Sequence, residues 1–225
     1  MEDSNLEKLF SDVGTEHMYD SVRAEYVAYR NLKVRWQRSY RWADFKVSDY
    51  MADAPDPVIS GLARTLFSRI GGETEAYSAE MTEWLTDPSF CREKQPIFLR
   101  RSRNLTGSSE GEYKNLKDSI DRLESEGLDV KKVNSLIVSW AKSNRMKKAE
   151  ESSVLMHVVG ISDVLDDFTV PDCVVDYLVY SGICRIAAGF DPGEASVETK
   201  YGELLNKFKR KDEAKRWIDK SGLYT

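Results

Sequence analysis

Few side chains in this sequence belong to the types that usually carry chemistry. The 225 residues include two histidines, His17 and His157, and three cysteines, Cys91, Cys173 and Cys184. A catalytic zinc site takes three protein ligands, and neither histidine can supply such a site alone. No Cys-x-x-Cys pair adds further ligands. A phosphate-binding loop and a dinucleotide fingerprint are also missing. We therefore predict buried thiols, and we expect His157 to be a strand histidine whose ring nitrogens are hydrogen-bonded.

The composition is that of a slightly acidic globular protein. Hydrophobic residues make up 41% and charged residues 32%, and 33 Lys and Arg stand against 38 Asp and Glu, giving a net charge of −5. A negative net charge disfavours general coating of nucleic acid but allows a local basic patch. No run approaches the roughly 20 apolar residues of a membrane span, and the acidic N-terminus lacks a secretory signal. We expect no membrane partner and a cytoplasmic location.

One local basic patch is the segment 29–42, which holds five cations and four aromatic rings without an acid. We predict two strands here, about 25–36 and 41–48. Interleaved cations and rings are typical of sites for single-stranded nucleic acid or a phosphate backbone. A second basic cluster precedes a Gly/Ser loop that could present backbone N–H groups to an anion. The candidate residues for nucleic-acid or anion binding are Arg35, Trp36, Arg38, Tyr40, Arg41, Arg100, Arg101 and Arg103.

The same pattern has a structural interpretation. Lys and Arg on the exposed face of a hairpin commonly guard an edge strand against pairing with another chain. In that case the aromatic rings of the other face would belong to the core.

Apolar periodicity and the positions of Pro and Gly predict a single α+β domain over 1–225, with a small mixed or antiparallel sheet, β-hairpins and several helices. Strands at 133–140 and 153–161 are predicted to form a hairpin joined by the charged segment 144–148. The predicted helices are 6–13, 58–70, 75–92 with an interruption at Pro88, 116–123, 171–188, 194–207 and 210–221.

The helix predicted over 171–188 carries apolar side chains in almost every direction, which indicates burial on most of its sides. Gly182 lies in its middle, where glycine costs about 1 kcal/mol relative to alanine. Ser181 and Arg185 share one face, roughly opposite the acidic residues of the helix. Arg185 must therefore find a partner on another element.

This region resembles the YgjP-like/SprT-like group of small zinc metallopeptidase domains, including its archaeal branch. The resemblance rests on 170–180 (VPDCVVDYLVY), 189–192 (GFDP) and 217–224 (WIDKSGLY). Ser139-Trp140 and 154–162 are similar to the group's hairpin, and 45–58 is similar to its strand-into-helix segment. The resemblance implies a zincin core with a central motif helix, and its metallopeptidase-like region covers 133–225.

At the positions of the family's His-Glu-x-x-His motif, the chain departs from the pattern. Ser181, Gly182 and Arg185 stand there, and the third metal ligand falls at or near Val197. A serine is a poor zinc ligand, glycine and valine offer no donor, and arginine is a permanent cation. The resemblance therefore implies a zinc site that is lost, no cofactor and no catalytic residues.

A further hypothesis concerns the position that the metal would have held. Arg185 would project there, and we expect it to pair with Glu194, Glu198 or a backbone carbonyl as a structural strut in place of the metal. The alternative is an arginine that extends from the helix surface into solvent.

Three functions follow from these observations. The leading one is a pseudoenzyme that binds a protein or peptide along a strand edge, because such recognition uses main-chain hydrogen bonds rather than a metal. The second is nucleic-acid binding through 29–42. The third is a zinc-dependent peptidase with unconventional ligands.

Overall fold

Eight α-helices and two three-stranded sheets form over the residues that the computed structural model describes, 3–73, 75–145, 148–190 and 195–223. The α+β prediction is confirmed. The contacts divide the chain into two units, Met1–Phe90 and Cys91–Thr225, each of which is described by itself. One domain over 1–225 stays a prediction. None of the described helices combines the length and apolar character that crossing a membrane requires.

The first unit is a mixed sheet covered on one face by helices. Its middle strand pairs in parallel with the first strand and antiparallel with the second, so the order is β1-β3-β2. The elements are α1 (Asp3–Glu16), β1 (Ser21–Val27), β2 (Val34–Arg38), β3 (Trp42–Ser48), α2 (Asp56–Gly71) and α3 (Ala79–Thr86).

Aromatic packing holds the first unit together. Phe45 of β3 is fully buried, and its ring lies 4.9 Å from that of Phe10 on α1 and 5.1 Å from that of Phe67 on α2. Leu6 and Val13 bury the same face of α1 as Phe10 because residues spaced by three or four positions share one side of a helix. The helices predicted over 6–13 and 58–70 are confirmed, and the stretch 75–92 is interrupted before Pro88 as predicted. The single strand predicted over 25–36 is wrong, because this range is divided between the end of β1 and the start of β2.

The second unit places a second mixed sheet beside a central helix. The strand order is β4-β6-β5, with β4 parallel and β5 antiparallel to β6. Its elements are α4 (Pro88–Arg101), which begins at the boundary between the units, α5 (Leu116–Ser125), β4 (Ile137–Ala141), β5 (Glu150–Ser153), β6 (Val158–Ser162), α6 (Asp172–Ala188), α7 (Ala195–Leu205) and α8 (Lys211–Ser221).

The hairpin predicted from 133–140 and 153–161 is wrong, because β4 and β6 run parallel. The short strand β5 enters the sheet instead as the antiparallel partner of β6. All five residues of β6 are buried, as expected for a central strand with neighbours on both edges. His157 precedes β6 in a turn, with a φ of 49°, and is therefore not a strand residue.

Helix α6 is the centre of the second unit, and the burial predicted for most of its sides is confirmed. Of its 17 residues, 14 are buried, and it packs against α5, α7, α8, β5 and β6. Arg122 of α5 donates two hydrogen bonds, of 2.9 and 2.7 Å, to the carboxylate of Asp176, whose side chain is only 8% exposed. This bidentate pair satisfies the one acidic group that α6 buries.

Gly182 allows α6 to approach the sheet closely. A Cβ atom at this position would lie 2.6 and 2.8 Å from the two methyl carbons of Val159 on β6. Real side chains do not make contacts this short, and Val159 is fully buried. The glycine thus offsets its unfavourable helix propensity by permitting the helix and the sheet to pack in contact.

We predict that Gly182→Ala lowers the free energy of unfolding by about 1–3 kcal/mol, because overpacking against Val159 outweighs the gain in helix propensity. Gly202→Ala on α7 is the matched control, since a Cβ there would meet nothing within 4 Å. That variant should gain up to about 1 kcal/mol. Urea unfolding followed by circular dichroism measures both, and equal stabilisation of the two variants would contradict the close contact.

Candidate functional site

The positions on α6 that the resemblance assigns to a metal-binding motif, which we call the motif positions, meet a tyrosine of α7. The Ser181 hydroxyl lies 2.9 Å from the Tyr201 hydroxyl. The Arg185 guanidinium lies over the Tyr201 ring, 4.2 Å from its centroid, and Nη1 of Arg185 is 3.6 Å from Oε1 of Glu198. Sequence reasoning named Ser181, Arg185 and Glu198 but missed Tyr201, which stands one helical turn after Glu198 and is the residue that connects them.

The contact between Arg185 and Glu198 is an exposed one. Their side chains are 41% and 71% exposed, and ion pairs of this kind contribute about 0–1 kcal/mol. The ring of Tyr201 adds a cation–π contact to the same guanidinium. Glu194, the other acid named for the strut, lies outside the described residues. The strut role of Arg185 stays a prediction.

The side chains at the motif positions do not fit a zinc ion. Val197 is half-buried in the first turn of α7 and offers no donor atom, and the Ser181 hydroxyl is hydrogen-bonded to the Tyr201 hydroxyl. Within the part of the chain that the structure describes, no group of three or more His, Cys, Asp or Glu side chains could hold a metal ion. A permanent cation at Arg185 would in addition repel a divalent ion.

A buried carboxyl from the sheet lies beside the motif helix. Oε1 of Glu150, on β5, is buried and has no hydrogen-bond partner among the described residues, and it would lie 3.1 Å from a Cβ at Gly182. Glu150 and Trp140 both pair with Ile161, one from each side, so they lie in one row on the same face of the sheet. The indole N–H of Trp140 is also buried without a partner there.

Burial raises the pKa of the Glu150 carboxyl to about 7. A hydrogen bond from Ser152 and the positive charges of Arg185 and Lys148 lower this pKa, and the negative charge of Glu151 raises it, but desolvation is the largest cause. The folded protein therefore holds a proton on Glu150 at pH values where the unfolded chain has released it. Because the unfolded state binds fewer protons in that range, stability falls as the pH rises.

We predict that Glu150 lowers the free energy of unfolding of the wild-type protein by roughly 3 kcal/mol between pH 4.5 and about pH 7. Glu150→Gln should remove this decrease. The measurement is the difference in free energy of unfolding between variant and wild type across this range. Glu151→Gln is the matched control, because Glu151 pairs with Gly160 on the opposite face of the sheet. A Glu150→Gln profile parallel to that of the wild type would contradict the raised pKa.

The strand that carries Glu150 is an edge strand. The Ala149 carbonyl accepts a 3.0 Å hydrogen bond from the Ser162 N–H, which places alternate residues of β5 toward β6. Glu150 and Ser152 therefore direct their backbone N–H and C=O groups away from the sheet. On that side the described residues provide no backbone partner for either of them.

The cysteines and histidines do not form a nucleophilic site. All three cysteines are buried and unbridged, as predicted, and burial raises the pKa of Cys184 to about 11. A raised pKa keeps the thiol protonated and unreactive. His157 lies with Nδ1 2.7 Å from the Asn134 carbonyl oxygen, and His17 stacks on Phe67 at 5.5 Å. Each ring thus has a structural neighbour.

The segment 107–111 (GSSEG) has the Gly-x-Ser-x-Gly spacing of a nucleophile elbow. An elbow requires a sharp turn from a strand into a helix, whereas these residues lie in an irregular loop between α4 and α5. The serine at the nucleophile position of this spacing is Ser109, and its carbonyl accepts a 2.9 Å hydrogen bond from the Leu116 N–H at the start of α5. The spacing alone therefore does not indicate catalysis.

The Gly/Ser loop also does not offer its backbone to an outside anion as expected. The Gly107 N–H donates to Oγ of Ser139 at 3.1 Å, and three consecutive N–H groups, at 112–114, donate to the carboxylate of Asp166. An internal carboxylate thus takes the place of the expected anion.

Arg100 and Arg101 end helix α4 and Arg103 follows it, with the Arg103 carbonyl accepting a 3.2 Å hydrogen bond from Arg145.

The basic segment of the first unit forms an edge hairpin, consisting of β2, the turn 39–41 and β3, which we call the basic hairpin. Its rings are not core residues, because Trp36, Tyr40 and Trp42 are 46%, 91% and 45% exposed. The structural interpretation in which the aromatic face is buried is therefore wrong for these three. Arg41 pairs with Asp20 at 2.8 Å, whereas Arg35 and Arg38 have no ion pair among the described residues.

Comparison with known proteins identifies no relative. The chain matches no protein-family model, no curated protein and no solved structure. The class of protein that the fold defines is thus an α+β protein of two small mixed sheets and surrounding helices.

Proposed function

We propose that this protein is a cytoplasmic pseudoenzyme with a metallopeptidase-like core, and that it binds an extended segment of another protein along the edge of β5. The observation that carries the proposal is the outward direction of the backbone groups of Glu150 and Ser152 beside α6. An extended peptide that pairs with these groups adds a fourth strand to the sheet. Affinity then comes from main-chain hydrogen bonds and requires no metal.

The side chains near this edge would supply specificity. The positive charge of Arg185 lowers the pKa of Glu150, and Glu198 and Tyr201 of α7 contact Arg185. A bound peptide projects alternate side chains to opposite faces, so every second one would meet this charged and aromatic group. The chemistry of β5 itself also suits pairing, since its sequence EESS carries no cation that guards the edge.

The test begins with an array of short random peptides probed with the full chain. We expect Ser152→Pro to weaken binding of the captured peptides about tenfold, because proline removes one outward N–H and its hydrogen bond. The pairing of β5 with β6 does not use that N–H, so the fold should persist. Ser152→Ala is the matched control, since it removes the hydroxyl and keeps the N–H.

Hydrogen exchange on the wild-type protein provides a second measurement that needs no variant. A captured peptide should slow amide exchange at Glu150 and Ser152 more than at Glu151 and Ser153, whose N–H groups already face β6. Failure of the array to yield any binding peptide would overturn the proposal. Peptides that bind equally to Ser152→Pro and to the wild type, without protection at Glu150, would also overturn it.

The pseudoenzyme part of the proposal is tested by metal analysis. Because Arg185 occupies a motif position as a permanent cation, we expect the purified protein to hold less than stoichiometric zinc and added zinc to leave its thermal midpoint unchanged. Arg185→His would restore one imidazole but leave Ser181 and Val197 as they are, so it should not create a tight site. Tightly bound stoichiometric zinc would favour a peptidase with unconventional ligands instead.

A further inference from the structure

The basic hairpin of the first unit exposes three large aromatic rings, one on the edge strand β2, one in the turn and one at the start of the middle strand β3. Tyr40, at the turn, is 91% exposed, and Trp36 and Trp42 are each close to half exposed. Exposing this much ring surface to water is unfavourable, at about 25 cal/mol per Å² of apolar area. Clustering of such rings on a small segment indicates a surface that is covered by a partner.

The cations around these rings are only partly neutralised. Arg41 and Lys46 pair with Asp20 and Glu25, at 2.8 and 3.1 Å. Lys33, Arg35 and Arg38 have no ion pair within the described part of the chain. Lys33 and Arg35 instead lie over the ring of Tyr29, 4.5 and 5.6 Å from its centroid. Three positive charges are therefore available to an anionic partner although the whole chain is acidic.

We propose that the basic hairpin binds single-stranded nucleic acid, with Trp36, Tyr40 and Trp42 as base-stacking residues and Lys33, Arg35 and Arg38 as phosphate contacts. Stacking on aromatic rings requires unpaired bases, because the bases of a duplex already stack on one another. An acidic peptide would use the cations but would leave the rings uncovered. Rings and cations together fit an anionic strand that carries flat apolar groups.

The placement of the rings disfavours a membrane surface. Trp36 pairs with Phe45, so it lies on the face that carries the core side chains of β3, whereas Trp42 lies two residues before Asp44 on the opposite face. Rings on opposite faces of a ribbon cannot enter one flat lipid interface together. A flexible strand of nucleotides can follow the edge of the hairpin and reach both faces.

A groove of about 460 Å³ beside β2 provides room for part of such a strand. Tyr29, Arg35, Trp36 and Gln37 line it together with Asp44. This volume is in the range of small-ligand sites, and the amide of Gln37 and the carboxylate of Asp44 can hydrogen-bond a base edge. The groove thus joins a stacking ring, a cation and polar groups within one short strand pair.

The test is fluorescence anisotropy of labelled oligothymidine and oligouridine with the full chain at low salt. We expect Tyr40→Ala to weaken binding about 5- to 150-fold, the range for loss of one stacked base. The logarithm of the wild-type affinity should fall with the logarithm of the salt concentration with a slope of about −2, as three phosphate contacts on a single strand require. Arg38→Ala should reduce the magnitude of that slope by about 0.7.

Tyr113→Ala is the matched control, because Tyr113 is another exposed tyrosine, 54% exposed, but belongs to the second unit and stacks near Phe168. It should bind as the wild type does. Absence of binding at low salt would overturn the proposal, as would wild-type affinity of the Tyr40→Ala variant. Equal or tighter binding to phosphatidylserine vesicles, polyglutamate or a duplex of the same length would overturn it in favour of that partner.

Discussion

The second unit depends on the close contact between α6 and β6 at Gly182 and Val159. Because Gly182 has no side chain, the methyl groups of Val159 pack directly against the helix backbone at this point, and α5, α7 and α8 pack against α6 as well. This contact also places β5 beside the motif positions of α6. A larger residue at 182 would separate the layers and would move Glu150 away from Arg185. The geometry of the candidate site thus follows from one glycine.

The same contact buries a carboxyl that the fold satisfies only in part. Glu150 lies under α6 without a partner for Oε1 among the described residues, and its charge is disfavoured near neutral pH. A group of this kind lowers stability, in contrast to Asp176, whose carboxylate is fully paired with Arg122. Asp176 and Glu150 therefore have opposite energetic consequences, and only Glu150, whose buried Oε1 lacks a partner among the described residues, lies at the strand edge that we propose binds a peptide.

The two sheets present edge strands of different chemistry. β5 carries glutamate and serine, and its outward backbone groups can accept another strand. β2 carries Arg35 and Arg38, which oppose pairing with a further strand but suit an anionic partner. The two edges thus favour different ligands, which makes two separate binding functions physically compatible within one chain.

Much of the helical structure could be predicted from the sequence, because apolar spacing, Pro171 and Gly189 act over a few residues and act in the same way in any fold. The burial of α6 could be predicted because its apolar side chains point in almost every direction around the helix. The direction of β4 relative to β6 could not be predicted, since the pairing of strands depends on contacts between distant residues, and β5 (EESS) shows neither alternation nor β-branched residues.

The site was predictable only in part for the same reason. The sequence by itself determined that Ser181, Gly182 and Arg185 offer no strong metal ligand on α6, because residue types are read directly. Only the tertiary structure decided that Glu150 lies against Gly182, that Tyr201 joins Ser181 to Arg185, and that Trp36 and Tyr40 are exposed. Each of these facts depends on how separate elements pack, and packing is a property of the folded chain rather than of any local stretch.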